Sequence, residues 1–423
     1  MSNVENTLDN VVVTENKRTL NLIKARRSSL IGAIFLMATS AIGPGFITQT
    51  ATFTATMGTA FAFGIFVSIL IDFVIQLNVW RVVTLTQMKA SDIANEAIRG
   101  SGYILSICVI FGGLVFNIGN IAGAGLGLNA LLGLDPKIGG GISALAAIVI
   151  FMSRRAGMAI DKVMIYLGLM MIILTVYMMF KSHPPIGAAL YQTVLPDSIN
   201  FATITTIVGG TVGGYITYAG AHRLLDSGVA GPENIKSVNR AALNGILVTG
   251  VMRYVLFLAI LGVVASGVVL DISGKTANPA AQAFQISAGE FGLRAFGLIL
   301  WAAGITSVIG AAYTSISFTT VFSKKMTMKA RHIATVFFIA ISLIIYLMLG
   351  TAPAALLVFA GGFNGLILPL GLSIFMYVIF FRSDLMKNHA YPLWLSSLGV
   401  IVCLLTWYMG FVSFRPIFSF LGM

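Results

Sequence analysis

Residues 41–54 read AIGPGFITQTATFT, and residues 207–220 read IVGGTVGGYITYAG. Both lie in runs apolar enough to cross a bilayer, yet both carry helix breakers. These are Gly43, Pro44 and Gly45 in the first, and Gly209, Gly210, Gly213, Gly214 and Gly220 in the second. Proline lacks the N–H of a helical turn and clashes with the residues before it, and glycine weakens a helix interior by about 1 kcal/mol relative to alanine. Unwound backbone persists at membrane depth only where it is buried in protein or lines a cavity. Glycine used for packing alone would explain one such stretch. Two, at matching places in two halves of a chain, point to the binding site of a secondary transporter.

Outward from these stretches, composition decides the class. Of 423 residues 57% are hydrophobic and 9% are charged, with mean hydropathy +0.94. A soluble domain carries about 25% charged residues, so this chain cannot cover a water-facing surface and reads as an all-α polytopic membrane protein. A crossing needs about 20 apolar residues. Eleven runs qualify: 29–57, 59–80, 102–132, 138–153, 162–181, 202–221, 242–268, 293–322, 331–350, 353–381 and 391–413. The fourth is short, and the first, third, eighth and tenth are long enough to hold a kink. The broken runs are the first and the sixth. That spacing predicts a cytoplasmic tail at 1–28, two inverted five-helix repeats at about 29–181 and 202–381, and an extra helix at about 391–413.

The net charge of +12 belongs to orientation rather than to nucleic acid. With the N-terminus in the cytoplasm, 20 of the 26 Lys and Arg fall on that side. Lys137, Lys181, Lys275, Arg294 and Arg415 fall outside, and Arg253 lies within a span. This is the positive-inside pattern, with the C-terminus outside. The polar N-terminal stretch to about Arg27 lacks a signal-peptide pattern. Cys108 and Cys403 sit in apolar runs and form no CxxC motif.

Two ionisable residues lie well inside spans: Asp72 in ILIDFVIQL and Arg253 in GVMRYVLFL. Such residues face a cavity or a partner, as part of an ion or proton pathway or as a buried pair that locks two helices. Asn117 and Asn120, one turn apart in FNIGN, either join helices or line a polar path. Asp161 reads as a solvated helix cap. His183, His222, His332 and His389 are scattered at loops and helix ends, where a lone histidine is usually solvated. No P-loop, HExxH or GxSxG is present, so neither an enzyme nor a cofactor is implied.

Together these segments resemble the Nramp family of divalent-metal transporters. The resemblance runs from about Ser29 to about Asn388. It is carried by GPGFI at 43–47, QLNVWRVVTLTQMKASDIANEAI at 76–98, FNIGNIAGAGLGLNALLGL at 116–134, HPPIGAALYQTVLP at 183–196, AAGITSVIGAAYTS at 302–315 and LPLGLSIF at 368–375. It implies a LeuT-like 5+5 inverted repeat with broken helices 1 and 6. GPGFI looks like the opening of helix 1, which places the family's metal-binding DPGN motif at QTATFTATMG, where it is missing. The family's MPH of helix 6 falls on Gly213, Gly214 and Tyr215, and its acidic pair on helix 3 falls on Asn117 and Asn120. The chain therefore resembles a divergent branch. It lies near the Nramp-related magnesium transporters, or a bacterial branch of uncharacterised members sharing MATSAIGPGF, here 37–46. The latter implies a bacterial inner membrane.

The donors left are Thr48, Gln49, Thr50, Thr52, Tyr215, Thr217 and Tyr218, with Gly213 and Gly214 between them. Oxygen donors suit hard cations, and without a thioether there is no preference for softer metals. The expected cargo is a hydrated divalent cation, Mg²⁺ or Mn²⁺, moved by alternating access. An amide does not titrate, so Asn117 and Asn120 imply weak or absent proton coupling by the family's usual route. A small organic solute on the same fold is the alternative, and a non-transporting sensor or membrane enzyme stands behind both. The topology is checked with single cysteines after Cys108 and Cys403 are replaced. An impermeant reagent applied to intact cells is expected to label Ser273→Cys and to spare Ser153→Cys.

Overall fold

The computed structural model describes residues 25–152, 156–272, 278–323, 326–349 and 353–419. The tail to residue 24, Ser153, Arg154, Arg155, Ser273, Lys275, Lys324 and Lys325 lie outside this description, as does the side chain of Asp161. The described chain is helical.

Helix α1 covers 25–41 and α2 is Pro44–Met57, so the first break is Ile42–Gly43. Gly43 is extended (φ −68°, ψ 175°), the conformation that a following proline imposes. Pro44 then takes the first helical position, where its missing N–H costs nothing. This corrects the expectation of an interruption reaching Thr54. Thr48, Gln49, Thr50 and Thr52 all ride on regular helix. The Thr54 and Thr56 hydroxyls donate back to the carbonyls of Thr50 (2.6 Å) and Thr52 (3.1 Å), so these side chains are satisfied without unwinding.

A 3₁₀ turn, Gly58–Ala60, leads into α3, Phe61–Thr86, followed by α4 (Ala90–Ala97), α5 (Ser101–Leu132), α6 (Pro136–Met152) and α7 (Ala156–Ser182). At Pro184–Pro185 the chain turns by 109° into α8, Ile186–Val194. Helix α9 (Phe201–Thr211) starts on Asn200, whose side chain accepts from the Thr203 N–H at 3.0 Å. The second break spans 212–215, with Gly214 at φ +58°. That left-handed conformation is open to glycine and costly for other residues. Helix α10 is Ile216–Asp226. The remainder is α11 (Ile235–Ala265), α12 (Pro279–Ser317), α13 (Met328–Met348), α14 (Pro353–Phe381) and α15 (Leu393–Ser419). A third break sits inside α12 at Ala288 and Gly289. The third and tenth runs, α5 and α14, are long without one. Their glycines serve packing, as where Gly127 of α5 lies against Trp301 of α12.

By length and composition seven described segments qualify as crossings, or eight with the bent α7–α8 pair. The expected eleven map onto the helices when α1 with α2, and α9 with α10, are each read as one interrupted crossing. Helix α3 must then be counted apart from α2, and the short α6 included. Lys89 and Arg331 share Asp226 (2.6 and 3.9 Å), while at the other end Lys137 donates to the Leu347 carbonyl (3.1 Å) and Arg294 to that of Leu131 (2.6 Å).

Helix α9 packs backbone-to-backbone on α14. A methyl group on Gly209 would collide with the Gly361 carbonyl and the Gly365 nitrogen, and one on Gly365 with the Thr205 carbonyl. Overpacking of this kind costs about 1–3 kcal/mol. Gly209→Ala is therefore expected to lower thermal stability in detergent. Gly141→Ala, which meets open space, is expected to be neutral or stabilising in the same melting assay.

Candidate functional site

Gln49 projects from α2 into the contact between α9 and α14. It is fully buried, and a methyl group at Gly210 or Gly361 would strike its amide. Its Nε2 donates to the Leu357 carbonyl at 3.2 Å, and its Oε1 has no hydrogen-bond partner. The buried Thr50 hydroxyl, on the same helix, also lacks one. Thr48 is buried and Thr52 half-buried. Across the second break, Tyr215 is buried with its ring edge-on to Phe116 of α5 (centroids 5.6 Å apart), and its hydroxyl faces Ser40 and Asn120. Ser40 Oγ and Asn120 Nδ2 are otherwise unsatisfied. At the first break, Thr39, Ile42 and Thr306 line a void of about 10 Å³, on the scale of one water.

The break itself is tightly built. The Gly213 N–H reaches the carbonyls of Val208 (3.1 Å) and Gly209 (3.2 Å), and the Thr217 hydroxyl donates to the Val212 carbonyl. Thr217 therefore closes the turn rather than offering a free hydroxyl. Tyr218 lies further along α10 among Phe318 (centroids 5.0 Å apart), Phe375 and His222. Gln49 thus lies against the α9–α14 contact ahead of the second break, and Tyr215 at its end faces Ser40 and Asn120.

Asn117 points elsewhere. Its Nδ2 donates to Ser342 Oγ of α13 at 3.1 Å. A step of three residues turns a helix by about 300°, so the two amides diverge by about 60°. The solvated reading of His222 is also corrected. It is fully buried, its Nε2 accepts from the Ala90 N–H (3.0 Å), and its Nδ1 meets Ser317 Oγ (2.6 Å). These partners assign the neutral tautomer protonated on Nδ1.

The sequence reading missed Asn364 of α14. It is fully buried and donates through Nδ2 to the carbonyls of Gly112 (3.2 Å) and Ala360 (2.8 Å), with Oδ1 unpartnered. The signal was present: a lone amide in the apolar run AGGFNGLIL is the kind of intramembrane polar residue that marked Asp72.

Asp72 of α3 and Arg253 of α11 form an ion pair at 2.6 Å with both side chains fully buried. Arg253 also reaches Ser68 Oγ at 3.4 Å, while Asp72 Oδ1 and Arg253 Nε are unpartnered. The contact joins α3 to α11, which is the locking arrangement. At one end of the bundle Asp226 gathers Lys89, Arg331 and the Tyr313 hydroxyl, tying α10 to α12 and α13. Burial holds the Lys89 ammonium below the ordinary lysine value, against the opposing pull of Asp226.

Residues 34–414 match the family profile described as Nramp, natural resistance-associated macrophage protein-like. The chain belongs to the Nramp family. Its relatives include the uncharacterized membrane protein YcsG of Bacillus subtilis (strain 168), 48% identical over 94% of this chain and 96% of that protein. Among solved structures, the Eremococcus coleocola manganese transporter superposes with a TM-score of 0.73 at 16% identity, covering 94% of this chain and 88% of that one. MhsT in complex with L-phenylalanine superposes with a TM-score of 0.61 at 14% identity, over 92% and 98% of the two chains. The fold is the LeuT-like one, and the protein is a membrane transporter rather than an enzyme.

The geometry also moves the motif comparison within the Nramp family. The unwound point is Ile42–Gly43, so the tetrapeptide there is Gly43-Pro44-Gly45-Phe46. Pro44 and Gly45 match the proline and glycine of DPGN. Gly43 and the buried Phe46 flank them and supply no metal-ligating side chain. QTATFTATMG is helix. A side chain at Gly43 would crowd Ser307 Oγ, and one at Gly123 would collide with Pro44.

Removing one partner of a buried ion pair leaves an uncompensated charge and costs about 3–5 kcal/mol. Asp72→Asn is expected to lower stability on that scale. Asp72→Leu combined with Arg253→Met is expected to recover most of it, which a double-mutant cycle on melting temperature measures. Normal stability in Asp72→Asn would contradict the locking role.

Proposed function

We propose that this protein moves a divalent cation, Mg²⁺ or Mn²⁺ with most of its water retained, by alternating access past the two breaks. Family membership and the likeness to a manganese transporter support a metal cargo. The observation that carries the hydrated form is the bare Oε1 of Gln49, a neutral acceptor, on the helix that follows a first break without a carboxylate. A neutral oxygen does not offset the dehydration of Mg²⁺, which gives up water reluctantly. It accepts well from the outward hydrogens of water already bound to the ion. Glycine in place of the thioether removes a basis for preferring softer ions.

The cargo-facing set narrows to Gln49, Thr50, Gly213, Gly214 and Tyr215. Coupling by the family's usual proton route is absent in this reading. Asn117 and Asn120 do not ionise, and Asp72 is held by Arg253. The two repeats at about 29–181 and 202–381, the added helix at about 391–413, a cytoplasmic N-terminus and a bacterial inner membrane complete the proposal. A second reading, a small organic solute, is favoured by the uncharged first break, where Gly43 and Phe46 supply no metal ligand. Among the described residues no three His, Cys, Asp or Glu side chains come together.

Uptake into proteoliposomes tests both readings. Mg²⁺ and Mn²⁺ are expected to compete with similar affinity, without acidification of the lumen. Gln49→Ala and Gly213→Leu are expected to abolish uptake in folded protein. If neither ion is carried, the organic reading stands. Unchanged kinetics in both folded variants would reduce the breaks to packing.

A further inference from the structure

We propose that Asn364 is a second cargo-facing residue, pairing with Gln49 to present two amide oxygens to a cargo that donates hydrogen bonds. This inference rests on the reading that cargo passes between the breaks, but not on the cargo being a metal.

The orientation of the Asn364 amide is fixed by its neighbours. Both Nδ2 contacts, to Gly112 of α5 and Ala360 of α14, are to carbonyl oxygens, which only the NH₂ end can satisfy. Oδ1 therefore points the other way. A methyl group on Gly214 would land on Oδ1, as would one on Gly112. Gly214 is thus constrained twice, by its left-handed backbone and by the amide oxygen packed against it. Neither the Gly214 N–H nor the Tyr215 N–H makes a backbone hydrogen bond among the described residues. An acceptor buried without a partner costs about 1–3 kcal/mol, and such an atom in a folded protein calls for a reason.

The reason lies in register. Gln49 packs against Gly210 of α9 and Gly361 of α14, and Asn364 packs against Gly214. From Gly361 to Asn364 is about one turn of α14, and from Gly210 to Gly214 is about one turn across the second break. Both bare oxygens therefore lie against the chain that leads into and through the second break, Gln49 at Gly210 and Asn364 at Gly214. A pair of neutral acceptors there suits hydrogens presented by water ligands of a hydrated cation. The N–H and O–H groups of a small organic solute offer the same chemistry.

Three variants of the full-length protein test this. In proteoliposomes, Asn364→Asp is expected to lower the Mn²⁺ KM about tenfold, the scale of one charge-assisted hydrogen bond. Asn364→Ser is expected to raise it several-fold with the maximal rate retained. If wild type neither binds nor carries Mn²⁺ or Mg²⁺ while Asn364→Asp gains saturable Mn²⁺ binding, the metal reading fails and the placement of Asn364 holds. Asn364→Cys, made without Cys108 and Cys403, reports independently of cargo and of whether the charged variant folds. It is expected to react with a small cationic methanethiosulfonate. An unreactive cysteine, or folded Asn364→Asp with the Mn²⁺ binding of wild type, would overturn the proposal and leave Asn364 a packing residue.

Discussion

Every backbone N–H and C=O at membrane depth must find its partner inside the protein. The breaks at Ile42–Gly43 and 212–215 exist under that constraint, and much of the packing around them answers it. Gly213 folds its N–H back on α9, and the Thr217 hydroxyl takes the Val212 carbonyl. Ser307 of α12 donates to the Thr39 carbonyl (3.0 Å) just before the first break. Glycines on α5, α9 and α14 bring the neighbouring helices close enough for such contacts to form. Among the side-chain atoms that remain unsatisfied are Ser40 Oγ, Gln49 Oε1, Asn120 Nδ2 and Asn364 Oδ1, on the segments around the two breaks.

Charge is handled in two different ways. Inside the bundle, Asp72 and Arg253 neutralise one another between α3 and α11, and their burial makes the pair a structural joint. At one end, Asp226 serves several partners on different elements, with the largely buried Lys89 and Arg331 sharing its carboxylate. The first arrangement is static. The second joins α10, which follows a break, to α12 and α13, so any swing of α10 has to exchange those contacts.

Much of this was legible in the sequence. Low charge and apolar runs gave the class, and Pro44 and the glycines of IVGGTVGGYITYAG gave the breaks. Asp72 and Arg253 stood out because lipid tolerates neither alone. The extent of the first break was not legible. Threonine-rich sequence looks unwound, yet threonine hydroxyls bond to the preceding turn and leave helix intact, as Thr54 does. His222 and Asn364 were missed for a related reason. Their surroundings come from helices far away in sequence, such as Ala90 and Ser317 for the histidine and Gly112 for the amide. No local pattern reports a partner hundreds of residues distant.

Glycine at position 43 has an electrical consequence. Carriers that bind a dication with a carboxylate cancel part of its charge while it crosses. Here the first break supplies none, and the Asp72–Arg253 pair contributes no net charge of its own. The loaded protein would then carry the full charge of its cargo through the membrane field, and the empty protein would return carrying nothing. At about 2.3 kcal/mol per elementary charge per 100 mV, a dication entering a negatively polarised cell would be drawn inward by the field alone. An uncharged solute on the same path would feel no such pull, and the direction of its movement would follow its concentration gradient.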